Sequence, residues 1–272
     1  MDNFQSDICV IGGCGHVGLP LAICFAESGL KVNIYDINQD SIDLVNEGEL
    51  PFLEPGCDEL LKKNIGKNLK VSADPNIISE AKFVVIVIGT PVDEFLNPDR
   101  VVFKNFINDY YKYFLDGQTL ILRSTVYPGT TDWLNGYLSK KAKNINVSFC
   151  PERIAEGKAM EELFNLPQIV SSYNDYTTQE VSDLFKKLTK DIIELDPTEA
   201  ELAKLYTNSW RYIQFAIANQ FYMLANGHDK DFYKIYDAMT YKYPRTKSFP
   251  KAGFAAGPCL FKDTMQLSAF DN

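Results

Sequence analysis

No apolar run in this chain approaches the length needed to cross a bilayer, so a membrane-spanning protein is not expected. No cluster of Lys or Arg stands out either. The 27 basic residues face 36 acidic ones for a formal net charge of −9, which disfavours nucleic acid or an anionic membrane as a partner. A few local cations and helix N-termini still suffice to hold an anionic small molecule inside an acidic protein. The six cysteines (Cys9, Cys14, Cys24, Cys57, Cys150 and Cys259) show no close metal-ligand spacing. No metal site is expected, and at least five read as reduced thiols that pack as small hydrophobes. The first apolar strand follows only seven mostly polar residues, with neither a basic region nor a small-residue cleavage site, so no signal peptide and a cytoplasmic location are expected. Internal repeats and low-complexity segments are absent.

What the chain does contain is enough apolar material for a sizeable core. It is 46% hydrophobic and 13% aromatic over 272 residues, a length that predicts two domains. Strands and helices alternate along the first part: strands at 8–11, 31–35, 83–88, 119–122, 147–149 and 169–171, and helices at about 18–28, 39–46, 103–115, 131–142 and 177–188. The unbroken run Val84-Val85-Ile86-Val87-Ile88 suits a sheet covered on both faces. The alternation predicts an α/β fold with a doubly wound, mostly parallel sheet over residues 1–196. From Pro197 the pattern changes. Residues 198–225 contain neither Pro nor Gly and repeat apolar residues at helical spacing, predicting one helix roughly 40 Å long at ~1.5 Å per residue. Residues 197–272 therefore read as a helical central domain, with the long helix as a dimerisation element, a second helix at 232–239, and a loop carrying Cys259.

The run Gly13-Cys14-Gly15-His16-Val17-Gly18 follows the first strand and opens the first helix, the arrangement that brings backbone amides to a pyrophosphate at a helix N-terminus. Asp36 ends the second strand, where a carboxylate accepts ribose hydroxyls. With no Arg beside it, it favours NAD over NADP. The bland alternative is a glycine-rich turn that holds no ligand.

Four further segments fall at strand ends or on one helix face. Gly89-Thr90-Pro91 and Ser124-Thr125-Val126 close two strands at the carboxyl edge, where doubly wound sheets bind ligands. Pro151-Glu152-Arg153-Ile154-Ala155-Glu156-Gly157 sets two carboxylates four residues apart. Glu201, Lys204 and Asn208 share one face of the long helix. Each has an ordinary reading: Thr-Pro and Ser-Thr turns cap helices, Glu201 and Lys204 can form a solvated pair, and Cys259 can be an inert loop thiol. The last segment joins a thiol, an amine and a carboxylate, in Cys259, Lys262 and Asp263, to a glycine-rich stretch ending at Gly257.

Taken in order, the run from Gly13 to Pro20, Glu54-Pro55-Gly56, Gly89-Thr90-Pro91, Ser124-Thr125-Val126, Pro151-Glu152 with Glu156-Gly157, Lys204 with Asn208, and Cys259 with Lys262-Asp263 resemble the UDP-sugar 6-dehydrogenases along nearly the whole chain. The resemblance implies a Rossmann-type NAD domain, a UDP-sugar substrate, a homodimer and a place in polysaccharide biosynthesis. It further implies oxidation of a C6 primary alcohol to a carboxylate with two NAD per turnover. Cys259 would form a thiohemiacetal and then a thioester. Lys204 and Asn208 would stabilise the oxyanion. Asp263, Glu156 and Thr125, with Glu152 close by, would form the acid/base and water-positioning set. Cofactor contacts would come from Gly13, Cys14, Gly15, His16, Val17, Gly18, Asp36, Thr90, Pro91, Ser124, Thr125 and Glu156. Substrate contacts would come from Glu152, Arg153, Ile154, Ala155, Lys204, Asn208, Arg245, Gly257 and Lys262.

The chain departs from that pattern in places. Gly12 adds a residue before the glycine motif, His16 stands where Tyr or Phe is usual, and Arg153-Ile154 replaces a common Phe-Leu, which leans the expected substrate toward a UDP-N-acetylhexosamine. Family members continue into a further UDP-binding domain, whereas this sequence stops at Asn272, so weak or absent turnover is expected of it alone. Two other readings stay open: a two-electron 3-hydroxyacid-type dehydrogenase, and a non-catalytic NAD-binding dimeric subunit.

Overall fold

The computed structural model describes residues 4–89, 100–254 and 258–270. In chain order the elements begin with β1 (Ser6–Ile11), α1 (Gly18–Glu27), β2 (Val32–Tyr35), α2 (Gln39–Asn46), α3 (Cys57–Asn64), β3 (Leu69–Ser72) and β4 (Ala81–Ile86). They continue with α4 (Arg100–Tyr110), β5 (Thr119–Leu122), α5 (Thr130–Leu138), β6 (Asn146–Phe149), α6 (Ala159–Asn165), β7 (Gln168–Ser172), α7 (Asp175–Phe185) and β8 (Ile192–Leu195). Three helices follow: α8 (Pro197–Gly227), α9 (Phe232–Thr240) and α10 (Pro258–Phe270).

The eight strands form one sheet in the order β3-β2-β1-β4-β5-β6-β7-β8. Neighbours from β3 to β6 run parallel, β7 is antiparallel to β6, and β8 is parallel to β7. This is the doubly wound, mostly parallel sheet that the alternating pattern predicts. β1 pairs with β2 on one side and β4 on the other, so the strand order reverses there, and the carboxyl ends of Ile11 and Ile86 lie in register. Such a reversal opens a crevice at the strand ends, where the loops that follow can meet a ligand.

Continuous burial explains the apolar strands. Ile8, Cys9, Val10, Val84, Val85, Leu120 and Ile121 are all fully buried, and α1 is buried from Gly18 to Ala26 against the sheet. α1 stops where expected, since Gly29 takes φ +92, a conformation that costs glycine little. β4 ends two residues before its apolar run does, although the Val87 N–H still donates to the Ile11 carbonyl at 2.9 Å.

Three helices differ from the sequence expectation. α3 and α6 have eight and seven residues in charged segments, too short for periodicity to register. The segment expected to present Cys259 on a loop is helical from Pro258 onward. Proline suits the first helical position, and Leu260, Lys262, Met265 and Gln266 are good helix formers, so the helix begins where the glycine-rich stretch ends.

The chain divides into two compact units, with the boundary inside α8 between Leu202 and Ala203. Among the described residues no helix is long and apolar enough to cross a membrane.

Candidate functional site

In the first unit the glycine run forms the tight turn between β1 and α1. A Cβ on Gly18 would lie 2.6 Å from the Gly13 Cα and 2.9 Å from the Gly12 carbonyl oxygen, so helix and loop touch through bare backbone. The inserted Gly12 is needed as well, because at φ +74 its Cβ would meet the Val87 carbonyl oxygen at 2.4 Å. Gly15 is different. The nearest protein atom to its Cβ would be 3.8 Å away, so the missing side chain leaves open space in front of the turn. The Cys14 N–H donates to Asp36 Oδ2 at 2.9 Å, while Oδ1 accepts from the Ile37 and Asn38 N–H groups at 2.8 and 3.0 Å. Asp36 thus ties the end of β2 to the turn after β1. His16 is exposed and packs its ring on Phe52, centroids 4.0 Å apart.

At the end of β4, Gly89 is followed by Thr90 and Pro91, which lie outside the described residues, as does Gly257. Beyond β5, the Ser124 hydroxyl donates to the Ile88 carbonyl at 2.6 Å and holds this loop to the neighbouring strand end. Thr125 and Val126 follow in the same loop, Thr125 half-buried.

The two carboxylates after β6 have different surroundings. Glu152 is buried. Its Oε2 pairs with Arg123, from Nε at 2.7 Å, and its Oε1 accepts from the Arg153 and Ile154 N–H groups at 2.6 and 2.8 Å. Arg123 is 1% exposed, also donates to the Cys150 carbonyl and Gln168 Oε1, and lies 5.2 Å from the Phe185 ring centre. A buried arginine of this kind is costly unless fully paired, and here it is. Sequence reasoning passed over Arg123, whose signal is a lone cation directly after the apolar strand Thr119–Leu122. Glu156 is exposed, on a turn held from both sides. The Ala155 N–H donates to Glu162 Oε2 at 2.7 Å, and the Gly157 and Ala159 N–H groups donate to the two oxygens of Glu54, each at 2.9 Å. Glu54 is 1% exposed and caps α6, whose own N-cap residue Lys158 has no capping side chain. Half-buried Arg153 turns its guanidinium to the Pro167 carbonyl, and burial pulls its pKa down.

Glu201 is also buried, so it is not half of a solvated pair with Lys204. Its carboxylate accepts from the Gly129 N–H at 2.6 Å, the Thr131 N–H at 2.9 Å and the Thr131 hydroxyl at 2.5 Å. Burial pushes its carboxyl pKa up, against the hydrogen bonds from Thr131 and Gly129, which pull it down.

In the second unit Lys204 and Asn208 stand one turn apart on α8, as their spacing requires. Asn208 Nδ2 donates to Asp263 Oδ2 at 2.6 Å, joining α8 to α10. Asp263 is fully buried, with Lys262 Nζ 3.9 Å from its Oδ1. Cys259 lies one turn before Asp263 and is exposed, whereas the other five cysteines are buried. Burial raises the thiol pKa of Cys14 and Cys57 to about 12 and of Cys150 to about 11, and raises Cys9 and Cys24 as well. Arg245 is exposed and bonds through Nε to the Tyr243 hydroxyl at 2.6 Å.

Comparison with known proteins places these features in a family. Residues 6–189 match the NAD binding domain of the UDP-glucose/GDP-mannose dehydrogenase family, and residues 198–272 match its central domain. A UDP-N-acetyl-D-mannosamine dehydrogenase of Methanococcus aeolicus is 30% identical over 94% of this chain, which covers 59% of that protein. The corresponding Pyrococcus horikoshii protein is also 30% identical, with 62% of its length covered. The structure of a UDP-D-ManNAc dehydrogenase from Pyrococcus horikoshii superposes with a TM-score of 0.89 at 29% identity, covering 97% of this chain and 64% of that one. The chain thus spans about three-fifths of the length of the curated relatives it matches. NAD, the cofactor of the matched domain, fits the residues present: an open Gly15, an amide-lined turn and the Asp36 carboxylate stand together in the first unit.

Gly18→Ala inserts a Cβ against backbone that cannot give way and should cost about 3 kcal/mol of stability, read as a lowered Tm. Gly15→Ala should leave Tm unchanged but weaken NADH about tenfold in a calorimetric titration, because its methyl enters ligand space. Native alkylation followed by mass spectrometry should modify Cys259 before any of the other five cysteines. Equal labelling of Cys150 or Cys57 would contradict the burial described above.

Proposed function

The chain belongs to the UDP-glucose/GDP-mannose dehydrogenase family, and from that premise we propose that it serves NAD-dependent oxidation of the C6 primary alcohol of a UDP-sugar to a carboxylate, with a UDP-N-acetylhexosamine as the substrate. The observation that carries this reading is the hydrogen bond from Asn208 to Asp263, which gathers Lys204, Asn208, Asp263 and Cys259 onto two adjoining helices of one unit. The names of the relatives and the Arg153-Ile154 pair support the N-acetylated sugar.

Bound NAD supplies the hydride acceptor for both oxidations. Cys259 adds its sulfur to the C6 aldehyde carbon, forming a C–S bond and a thiohemiacetal oxyanion. Lys204 supplies a cation for that oxyanion. Asn208, with one N–H committed to Asp263, has a second N–H to donate. Loss of hydride leaves a thioester. Water then attacks the carbonyl carbon, the C–S bond breaks, and the thiolate leaves. The acid/base and water-positioning tasks go to Asp263, Thr125 and Glu156. Glu152 has its oxygens engaged by Arg123 and two amides, which suits holding the 152–154 turn rather than moving a proton.

Homodimerisation through α8 belongs to the same proposal. Tyr206, Trp210, Ile213, Ile217, Phe221 and Leu224 recur at three- and four-residue spacing and are each at least 40% exposed. A twofold contact needs only one such self-complementary stripe.

The decisive test is stoichiometry. UDP-N-acetylhexosamine oxidation followed by NADH absorbance should give two NADH per sugar consumed, and Cys259→Ser should give no more than one. One NADH per sugar in the wild type would instead favour a two-electron dehydrogenase. Ile213→Asp should convert a dimer to a monomer in light scattering, and a wild-type monomeric mass would remove the dimer.

A further inference from the structure

The first turn of α5 presents a capping problem that the local sequence leaves unsolved. Its N-cap residue is Gly129, at φ +87, with no side chain to accept an N–H. A Ser or Asp there could cap locally, but an L side chain in that left-handed conformation is strained. The acceptor comes instead from Glu201 near the start of α8, 70 residues beyond Thr131, and three donors of the turn converge on its two oxygens. The carboxylate is 1% exposed.

The placement of this turn gives the cap a purpose. The glycine turn after β1 lies on the carboxyl edge where the strand order reverses, and Asp36 marks the adenosine side after β2. A dinucleotide whose pyrophosphate sits on the glycine turn must extend its other half toward the ends of β4 and β5, since those strands continue the sheet in the opposite direction. The loop at 124–130 follows β5. Its front is fixed by the Ser124 bond to the Ile88 carbonyl and its rear by Glu201.

We propose that Glu201 is a positioning residue for the cofactor: by capping α5 from a distant helix, it sets the 124–130 loop against which the nicotinamide half of NAD lies. The proposal rests on the NAD reading of the glycine turn. Burial of the charge supports it. A carboxyl whose pKa is raised on folding contributes stability that is full below its unfolded value and lost as pH rises through the folded one. Burial works against the charge of that carboxyl, and the three convergent donors of the 129–131 turn are what the side chain holds there.

The experiment titrates wild type, Glu201→Gln and Thr131→Val with NADH and with ADP-ribose, which lacks only the nicotinamide, and follows amide exchange at Gly129 and Thr131. Glu201→Gln should bind ADP-ribose within about twofold of wild type but NADH about tenfold more weakly, with both amides exchanging faster. Thr131→Val keeps both backbone bonds to Glu201, loses only the hydroxyl, and should show a smaller change of the same kind. It carries the test if Glu201→Gln does not fold. Equal weakening of both ligands, or of neither, would overturn the positioning role. A wild-type chain that binds neither nucleotide would overturn the NAD reading, and this proposal with it.

Discussion

Carboxylates that accept main-chain N–H groups organise the carboxyl edge of the sheet. Asp36 ties the end of β2 to the glycine turn, Glu54 holds the Gly157 and Ala159 amides, Glu152 holds those of Arg153 and Ile154, and Glu201 holds those of Gly129 and Thr131. Each loop that closes a strand carries amides that no ladder satisfies, and an unsatisfied buried amide costs on the order of 1–3 kcal/mol. Apolar packing cannot meet that need. The acids meet it, and in doing so they give the loops a single shape.

The same device separates two kinds of acidic residue. Glu54, Glu152 and Glu201 are buried and committed to backbone or to Arg123, whereas Glu156 stands exposed on a turn whose neighbours are held. Cysteine divides similarly: five thiols are packed among apolar side chains, and one, on the first turn of α10, faces outward. Burial thus withdraws Glu54, Glu152, Glu201 and five of the six thiols from solvent, while Glu156 and Cys259 stay exposed.

Sheet class, the long helix and the glycine turn were legible in the sequence because they are periodic or local. β5 occupies the expected 119–122, and α2 the expected 39–46. α3 and α6 were hidden because two turns of helix do not produce a readable stripe, and α10 because a glycine-rich approach masked its start. Of the candidate site residues, the sequence could name Asn208 and Asp263 without pairing them across 55 positions. It offered Glu201 as one of three residues on a helix face with Lys204 and Asn208, whereas its partners lie at 129 and 131. Arg123 was missed because an arginine beyond a strand ordinarily points to solvent. Such pairings depend on tertiary proximity, which no local pattern encodes.

The bonds of Glu54 to Gly157 and Ala159 join residues 103 and 105 positions apart. Contacts between such remote positions form only after most of the intervening chain has collapsed, because the entropy of closing so long a loop must be met first. The shape of the turn that displays Glu156 therefore depends on tertiary collapse of the chain between them and not on its own local sequence.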